Sequence, residues 1–299
     1  MSEPASVLVG PAGKSAGQPA VEVAPSGRRW YSGGLGIAVA ILVVTVGASL
    51  IGNLFDLLHP NVPHFENALQ APSLDNPFGT DAVGRDVFIR TLSATVLDIQ
   101  VGLVTTAIPL VLGTLLGALF GYVGGMADSV GMRVMDVILA IPLLVFVLAI
   151  VAIYGPGLTG IYVGLSIANI PVFARIARGE MGVLREQQFI LAAKTLGFGR
   201  ARIIFLHALP HIVKPALVFS LATLVGNVAA LAALSYLGLG VQPPTAEWGA
   251  IIADGQTQLL TAWWISTLPG LFMVVVLGAI YLIGETLTER LDLHVSGGA

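Results

Sequence analysis

The sequence of 299 residues contains no cysteine and very little charge. Without cysteine, disulfides, thiolate metal ligands and cysteine nucleophiles are excluded. Charged residues make up only 10 % of the chain, whereas apolar residues make up 56 %. A soluble protein with so little charge could not cover its surface with polar groups, so lipid must be the solvent for most of this chain.

Motifs for bond chemistry are missing as well. Gly10–Ser15 is similar to the end of a phosphate-binding loop, but Leu8 occupies the place of the required first glycine. His207 and His211 have a zinc-like spacing, yet the metalloprotease glutamate is absent and Pro210 lies between them. No Gly-x-Ser-x-Gly elbow occurs. We therefore expect no catalytic residue, no bound cofactor or metal, and no nucleic-acid partner.

Long apolar runs predict membrane-spanning helices, because a bilayer core needs roughly 20 apolar residues in a helix. Six runs qualify, at residues 34–55, 99–123, 137–154, 158–176, 212–237 and 265–284. The predicted fold class is therefore an all-α integral membrane protein with six transmembrane helices in a membrane domain at 34–290. The first run is longer than a signal-peptide core, which favours an uncleaved span.

The remaining segments are predicted to be loops and tails. Residues 1–33 are rich in Ala, Ser, Pro, Gly and Val without periodicity, which predicts a disordered cytoplasmic tail. Residues 291–299 would form a short C-terminal tail. Placing both termini in the cytoplasm puts twelve Lys and Arg residues inside and only Arg85 and Arg90 outside. This positive-inside bias predicts outer loops at 56–95 and 238–262.

The predicted spans contain almost no ionisable residue. Asp98 and Glu285 sit at span ends, and Asp136 just precedes the third span. Because proton- and ion-coupled transporters usually carry intramembrane charge, energy is expected to reach this protein from outside its membrane domain. The second span carries Gly113, Gly117 and Gly121, a spacing that lets a neighbouring backbone approach closely. Helix packing explains this spacing, and lining of a pathway remains an alternative.

The cytoplasmic loop between the fourth and fifth spans is dense in arginine. Residues 187–196 favour a short helix, and Gly197 is placed as its left-handed stop. A second short helix would follow and end at Pro210, before the next span. Ala192 and Ala193 would then present a small-residue face to a groove in another protein. The alternative is a solvated basic loop lying against anionic lipid headgroups.

In this loop the chain resembles the permease subunits of bacterial ABC importers. Their signature is an Ala-Ala pair, a glycine four residues later and a distal Leu-Pro, and Leu191 replaces the acid that often precedes the alanines. The resemblance implies that residues 179–211 form a coupling loop that seats in a cytoplasmic ATPase. The residues it implicates in ATPase coupling are Ala192, Ala193, Lys194, Gly197, His207, Leu209 and Pro210.

Three further segments resemble the C-type subunit of dipeptide and oligopeptide (Dpp/Opp-type) permeases. They are Phe78–Asp86, Gly121–Gly125 with its following turn, and Ser235–Pro244 with Glu247-Trp248-Gly249. The resemblance implies that the outer loops contact a substrate-loaded binding protein. The residues expected to face it are Asp81, Arg85, Asp86, Glu247 and Trp248. An equal alternative is that Asp81, Arg85 and Asp86 pair with one another and order their loop.

The resemblance also implies a function and a set of partners. The chain would be a permease subunit, in the inner membrane of a bacterium, of an importer that moves short peptides by alternating access. It would need a second, homologous permease, two ABC ATPase domains that bind ATP and Mg, an extracytoplasmic binding protein and membrane lipid. Nickel, glutathione or a haem precursor are alternative substrates. A stand-alone channel or secondary transporter and a membrane enzyme are the alternative classes.

Overall fold

The computed structural model describes residues 31–296, with side chains described for residues 34–288. The predicted N-terminal tail lies outside the described residues, except that residues 31–33 are already helical. Residues 291–296, predicted as part of a C-terminal tail, continue the last helix, and 297–299 lie outside. The basic side chains of Lys14, Arg28, Arg29 and Arg290 lie outside the described part as well.

The described residues form helices without strands, and we label the helices in chain order. They are α1 (Tyr31–Leu54), α2 (Val87–Val123), α3 (Gly125–Leu139), α4 (Leu143–Tyr154), α5 (Leu158–Leu184), α6 (Gln188–Thr195), α7 (Arg200–Tyr236), α8 (Trp248–Asp254) and α9 (Trp264–Ser296). Five helices are long and apolar enough to cross a membrane: α1, α2, α5, α7 and α9. A sixth crossing results if the bent pair α3–α4 counts as one span.

Helices α2 and α5 pack closely along the predicted glycine groove. The facing pairs are Gly113 with Ile170, Gly117 with Ala174, and Gly121 with Arg178. A Cβ atom on Gly113 would lie 2.5 Å from the carbonyl oxygen of Ile170, so any larger residue would push the two backbones apart. The prediction of close helix packing at these glycines is therefore confirmed.

The same pairs show that α2 and α5 run parallel, since residue numbers rise together along both helices. A chain that leaves α2 at one membrane face must recross the membrane before it can begin α5 in the same direction. Only α3 and α4 lie between them. The α3–α4 pair is therefore one bent span, and the fold has the six predicted crossings.

The third span is not the single helix that was predicted over 137–154. Helix α3 ends at Leu139, α4 begins at Leu143, and the two are bent by 87°. The physical reason is Pro142, which lacks an N–H group and disfavours helical backbone at Ile141. Charged residues on α3 turn toward α5, where Asp136 pairs with Arg175 at 2.8 Å.

Pro210 does not end a helix, which corrects the second prediction made for the cytoplasmic loop. Helix α7 continues from Arg200 to Tyr236, and its turn at Ile203–Ala208 is a wide π-helical turn. Proline in a regular α-helix clashes with the carbonyl four residues earlier. A π turn, with its i→i+5 bonds, widens the backbone just before Pro210 and lets the helix continue.

Candidate functional site

The cytoplasmic end of the fold carries α6, whose C-terminus closes in a Schellman motif. The Phe198 N–H donates to the Ala193 carbonyl at 3.1 Å, and the Gly197 N–H donates to the Lys194 carbonyl at 3.0 Å. Gly197 has φ +78°, a left-handed conformation that glycine adopts without steric cost. The predicted stop at Gly197 is therefore confirmed, and it fixes how sharply the chain turns from α6 into α7.

The face of α6 that meets the rest of the chain includes Ala193. Ala193 is only 4 % exposed and, with Ile190 one turn earlier, packs in a cluster that contains Ile203 and Ile212 of α7. The prediction that Ala193 presents itself to another protein is therefore wrong, because residues three apart share one helix face. Ala192 lies on the other side of α6 and is exposed, as predicted.

The exposed side of α6 carries large apolar side chains among polar ones, which the sequence interpretation missed. Leu196 is 72 % exposed, and Phe189 and Leu191 are also exposed. A signal was available in the sequence, because placing Ile190 and Ala193 in the core leaves Leu191 pointing outward on the same helix. An apolar patch on a cytoplasmic helix marks a surface that another protein covers.

The basic and aromatic side chains of this region hold it in shape. Lys194 Nζ lies 5.4 Å from the centre of the Tyr122 ring, at the end of α2. His207 stacks against Phe198 with 5.7 Å between ring centres, and its Nδ1 lies 3.2 Å from the Arg202 carbonyl oxygen. His211 stacks instead on a different ring, Phe189 of α6. The two histidines therefore stabilise the turn through contacts with two different phenylalanine rings.

Leu209 and Pro210 lie where α7 leaves the π turn. Leu209 lines a cavity of about 330 Å³ together with Val111 and Thr114 of α2. Pro210 is exposed and inside α7. Of the residues implicated in ATPase coupling, the structure thus places Ala192, Lys194, Gly197 and Pro210 at the surface and buries Ala193.

The outer face is ordered by a turn built around Asp81. Asp81 is almost fully buried, and its Oδ1 accepts hydrogen bonds from the Val83 and Arg85 N–H groups at 3.0 and 2.9 Å. Its Oδ2 accepts from Arg85 Nε at 2.6 Å. The predicted pairing of Asp81 with Arg85 is therefore confirmed. Asp86 does not join it, because Asp86 caps α2 by accepting from the Ile89 N–H at 2.9 Å.

A fourth residue, Asp254, links this turn to α8. Arg85 Nη2 lies 3.4 Å and Arg90 Nη2 lies 3.8 Å from Asp254 Oδ2. Arg90 is itself buried and donates to the Pro60 carbonyl at 3.2 Å and to Asn61 Oδ1 at 3.1 Å. Burial raises the pKa of Asp254, and the charges of Arg90 and Arg85 oppose that rise. The two outer loops are thus tied together by alternating charges.

Glu247 and Trp248 anchor α8 to the top of α2. Glu247 caps α8 by accepting from the Gly249 and Ala250 N–H groups at 2.9 and 2.8 Å. The Trp248 main-chain N–H donates to Asp98 Oδ2 at 3.1 Å, and its indole Nε1–H donates to the Thr91 carbonyl at 2.9 Å. All three side chains, Asp98, Glu247 and Trp248, are fully buried.

Asp98 and Glu247 form a buried pair of carboxyl groups. Asp98 Oδ1 has no hydrogen-bond partner among the described residues, and the Glu247 carboxyl lies beside it. Burial raises the pKa of Glu247. Two carboxylates this close cannot both be ionised at low cost, so a shared proton would give Asp98 Oδ1 its partner. Asp98 was predicted at a span end, but α2 begins at Val87 and places it within the helix.

The burial of Asp81, Glu247 and Trp248 corrects the predicted contacts of the outer loops. A side chain buried within its own chain cannot contact a binding protein. These three residues instead stabilise the conformation of the outer loops from the interior. Only Arg85 and Asp86 keep partial exposure. Leu74 and Leu260 are fully exposed apolar residues of this face, and nothing in the sequence around them distinguishes them from buried leucines.

Comparisons with known proteins point to one family. Residues 113–297 match the family described as binding-protein-dependent transport system inner membrane component. The chain is 36 % identical over 264 residues to the probable D,D-dipeptide transport system permease protein DdpC of Escherichia coli, covering 88 % of this chain and 89 % of that one. It is 38 % identical over 226 residues to the dipeptide transport system permease protein DppC of Alkalihalophilus pseudofirmus, covering 76 % and 74 %.

Two further similarities extend this result. The glutathione transport system permease protein GsiD of Escherichia coli is 34 % identical over 261 residues, covering 87 % of this chain and 84 % of that one. A chain of the methionine ABC transporter MetNI, solved in inward facing conformations, has a TM-score of 0.54 at 18 % identity and covers 68 % and 95 %. That likeness supports the fold. The chain therefore belongs to the family of binding-protein-dependent transport system inner membrane components, as a multi-pass protein of the inner membrane.

Proposed function

We propose that this chain is a permease subunit of an ATP-driven importer of short peptides. The observation that carries the proposal is the exposure of three large apolar side chains at α6 and its C-terminal end, Phe189, Leu191 and Leu196, on the cytoplasmic side. The short helix α6 packs against α7 through Ile190 and Ala193 and ends at Gly197. Movement of an ATPase bound to α6 can therefore be transmitted to the membrane domain. The chain needs no bond chemistry of its own for this role.

The proposed assembly has four kinds of component. Two ATPase domains bind ATP and Mg and receive α6, a second homologous permease completes the pathway, and a binding protein delivers substrate at the outer face. The docking surface for the binding protein includes the fully exposed Leu74 and Leu260. The network of Asp81, Arg85 and Asp254 keeps the loops beneath that surface in place.

Short peptides are the proposed substrate because the similar permeases DdpC and DppC carry dipeptide transport in their names. Glutathione, itself a modified tripeptide, is the alternative supported by the similarity to GsiD. Nickel and a haem precursor remain alternatives that no contact of the described residues favours. Selectivity among these substrates would reside mainly in the binding protein.

Co-purification tests the assembly. The tagged chain, expressed with its neighbouring transport genes and extracted in mild detergent, should bring an ATPase with it and support ATP-dependent dipeptide uptake in proteoliposomes. Leu196→Glu places a charge on the exposed side of α6 and should abolish ATPase recovery. Leu74→Glu, a matched change on the outer face, should retain it. Equal ATPase recovery with both variants would contradict the role proposed for α6.

A further inference from the structure

A polar cluster lies inside the membrane region, near the middle of α2 and α5 and in the outer half of α7. Asn227 is buried, and its Nδ2 donates to Thr106 Oγ1 at 3.1 Å. Asn169 Nδ2 donates to Asn227 Oδ1 at 3.0 Å and to the Leu165 carbonyl at 2.8 Å. Among the described residues none donates to Asn169 Oδ1, so this acceptor remains free for a group from outside the chain.

Asn169 and Asn227 open onto a cavity rather than into a closed core. The cavity has a volume of about 220 Å³, and Thr223 and Gly226 of α7 also line it. If the cavity faced lipid, the unpaired Asn169 Oδ1 would lack a hydrogen-bond donor at a cost of several kcal/mol. This side of the cavity therefore faces water, a ligand or another protein, and not acyl chains.

The break between α3 and α4 lies beside the same cavity. Leu143, the first residue of α4, lines it together with Asn169. Pro142 precedes α4 without making a side-chain cap, so the N–H groups of the first turn lack helical partners. Broken helices at membrane depth are tolerated where they border a water-filled cavity. This observation is independent of the asparagines and gives the same location.

A second cavity lies next to the first, on its cytoplasmic side. It has a volume of about 370 Å³ and shares Phe219 and Ala222 of α7 with the first cavity. Tyr281 and Glu285 of α9 line its far end. We call the two cavities, which adjoin at Phe219 and Ala222, the track; its lining extends along α7 from the asparagines to the Glu285 carboxylate near the cytoplasmic end.

We propose that Asn169, Thr223 and Asn227 line the peptide pathway, where their neutral groups hydrogen-bond the main chain of the translocated peptide. This inference rests on the proposed function and names a site for it. Main-chain N–H and C=O groups are common to all peptides, so uncharged carboxamides can accept many sequences. Glu285 lies at the cytoplasmic end of the track. Its negative charge attracts the peptide's ammonium group after the peptide has passed the three uncharged residues.

Single-cysteine labelling tests water access to the track, and the absence of native cysteine leaves no background in this chain. The assembled transporter would carry Ala222→Cys, on the track, or Val44→Cys, on the exposed face of α1. A charged, membrane-impermeant methanethiosulfonate should modify Ala222→Cys, and alanyl-alanine supplied with the binding protein and ATP should slow the reaction. Val44→Cys should not react. Lack of reaction at Ala222→Cys with and without ATP, or reaction unchanged by peptide, would overturn the proposal.

Uptake by matched variants tests the contact itself. Asn169→Leu should lower dipeptide uptake about tenfold at unchanged ATPase recovery, the effect of one lost hydrogen bond in a water-poor site. Thr223→Val should also lower it, whereas Thr45→Val should not. The Thr223 hydroxyl donates to the carbonyl four residues earlier at 3.1 Å, and the Thr45 hydroxyl does the same at 2.7 Å. Each substitution therefore removes the same kind of hydrogen bond within its own helix. Unchanged uptake by Asn169→Leu would contradict the proposal.

The outcomes separate this inference from the function on which it rests. If the unmodified transporter moves no dipeptide, the peptide function fails, while labelling of Ala222→Cys still reports whether the track holds water. If dipeptide uptake is normal and Ala222→Cys is unreactive, the function stands and the pathway lies elsewhere. The second result would mean that this face of α7 packs against the partner permease.

Discussion

At the residue scale, the outer face is held by buried and half-buried carboxyl groups that accept hydrogen bonds from main-chain N–H groups. Asp81 accepts from two amides of its own turn, Asp86 caps α2, and Glu247 caps α8. Each carboxyl exchanges hydrogen bonds with water for hydrogen bonds from N–H groups within the chain. The buried Asp98 has one oxygen without a hydrogen-bond partner among the described residues, and it lies beside a second acid, Glu247.

Asp98→Asn should therefore stabilise the protein at high pH. The new amide can donate to Glu247 and still accept from the Trp248 N–H, and it removes one of two adjacent acids. Because burial raises the folded-state pKa of Glu247, the wild type is most stable when this site is protonated and loses stability as pH rises through that pKa. Thermal unfolding followed by tryptophan fluorescence should show a gain of about 1–3 kcal/mol at pH 8 and less at pH 5.

The control for this substitution is Asp75→Asn, which removes an exposed acid from the same outer face. It should leave the unfolding temperature unchanged at both pH values. A pH-independent difference between Asp98→Asn and the wild type would contradict the shared proton.

The glycine groove offers a second residue-scale prediction. Gly117→Ala places a methyl group against the Ala174 backbone and should cost about 1–3 kcal/mol of unfolding free energy, because the parallel helices must separate. Gly182→Ala on α5 meets no atom within 4 Å and should be neutral or stabilising by up to about 1 kcal/mol. Thermal unfolding in detergent measures both. Equal shifts would contradict a role for close helix packing.

Single residues were predictable from the sequence where their role is local. Gly197 stops α6 because the chain itself requires a positive φ there, and the spacing of Gly113, Gly117 and Gly121 predicts close packing. Ala193 and Trp248 were assigned to the wrong surface, because burial depends on which distant helix covers a side chain. No local pattern shows that α7 lies over Ala193 or that α2 lies over Trp248.

At the element scale, Pro142 and Pro210 have opposite effects on helix continuity. Pro142 breaks the third span, whereas α7 continues through Pro210. The difference lies in the backbone before each proline, since a π turn at Ile203–Ala208 relieves the clash at Pro210. The position of a proline does not by itself predict the outcome, because Pro109 and Pro171 lie inside helices that neither break nor form a π turn.

The α6 turn carries the element-scale prediction. Gly197→Val forces a β-branched residue into φ +78°, which costs about 1–2 kcal/mol or reorients the turn. ATP hydrolysis by the assembled complex should persist while peptide uptake falls. The reason is that the altered turn changes the orientation of α6 relative to the ATPase. Gly199→Val is the control, since Gly199 has φ −63° and open space around its Cβ position. Normal uptake by Gly197→Val would contradict mechanical coupling through this turn.

At the scale of the whole molecule, the orientation depends on the bent α3–α4 pair. If this pair returned to the face it came from, α5 would run in the opposite direction and α6 would lie outside the cell. The parallel orientation of α2 and α5 excludes that arrangement. The basic residues agree, because Arg178, Arg185 and Arg200 then lie on the cytoplasmic side, where the positive-inside rule places them.

Accessibility from the two sides of the membrane tests this topology. Leu74→Cys and Leu196→Cys place one thiol in the outer loop and one on α6, both at strongly exposed positions of a chain without other cysteines. In spheroplasts an impermeant maleimide should label Leu74→Cys at once and Leu196→Cys only after permeabilisation. Labelling of both thiols in intact spheroplasts would mean that α3 and α4 re-enter the membrane without crossing it. In that case an ATPase in the cytoplasm could not reach α6, and the coupling proposed for this protein would fail with the topology.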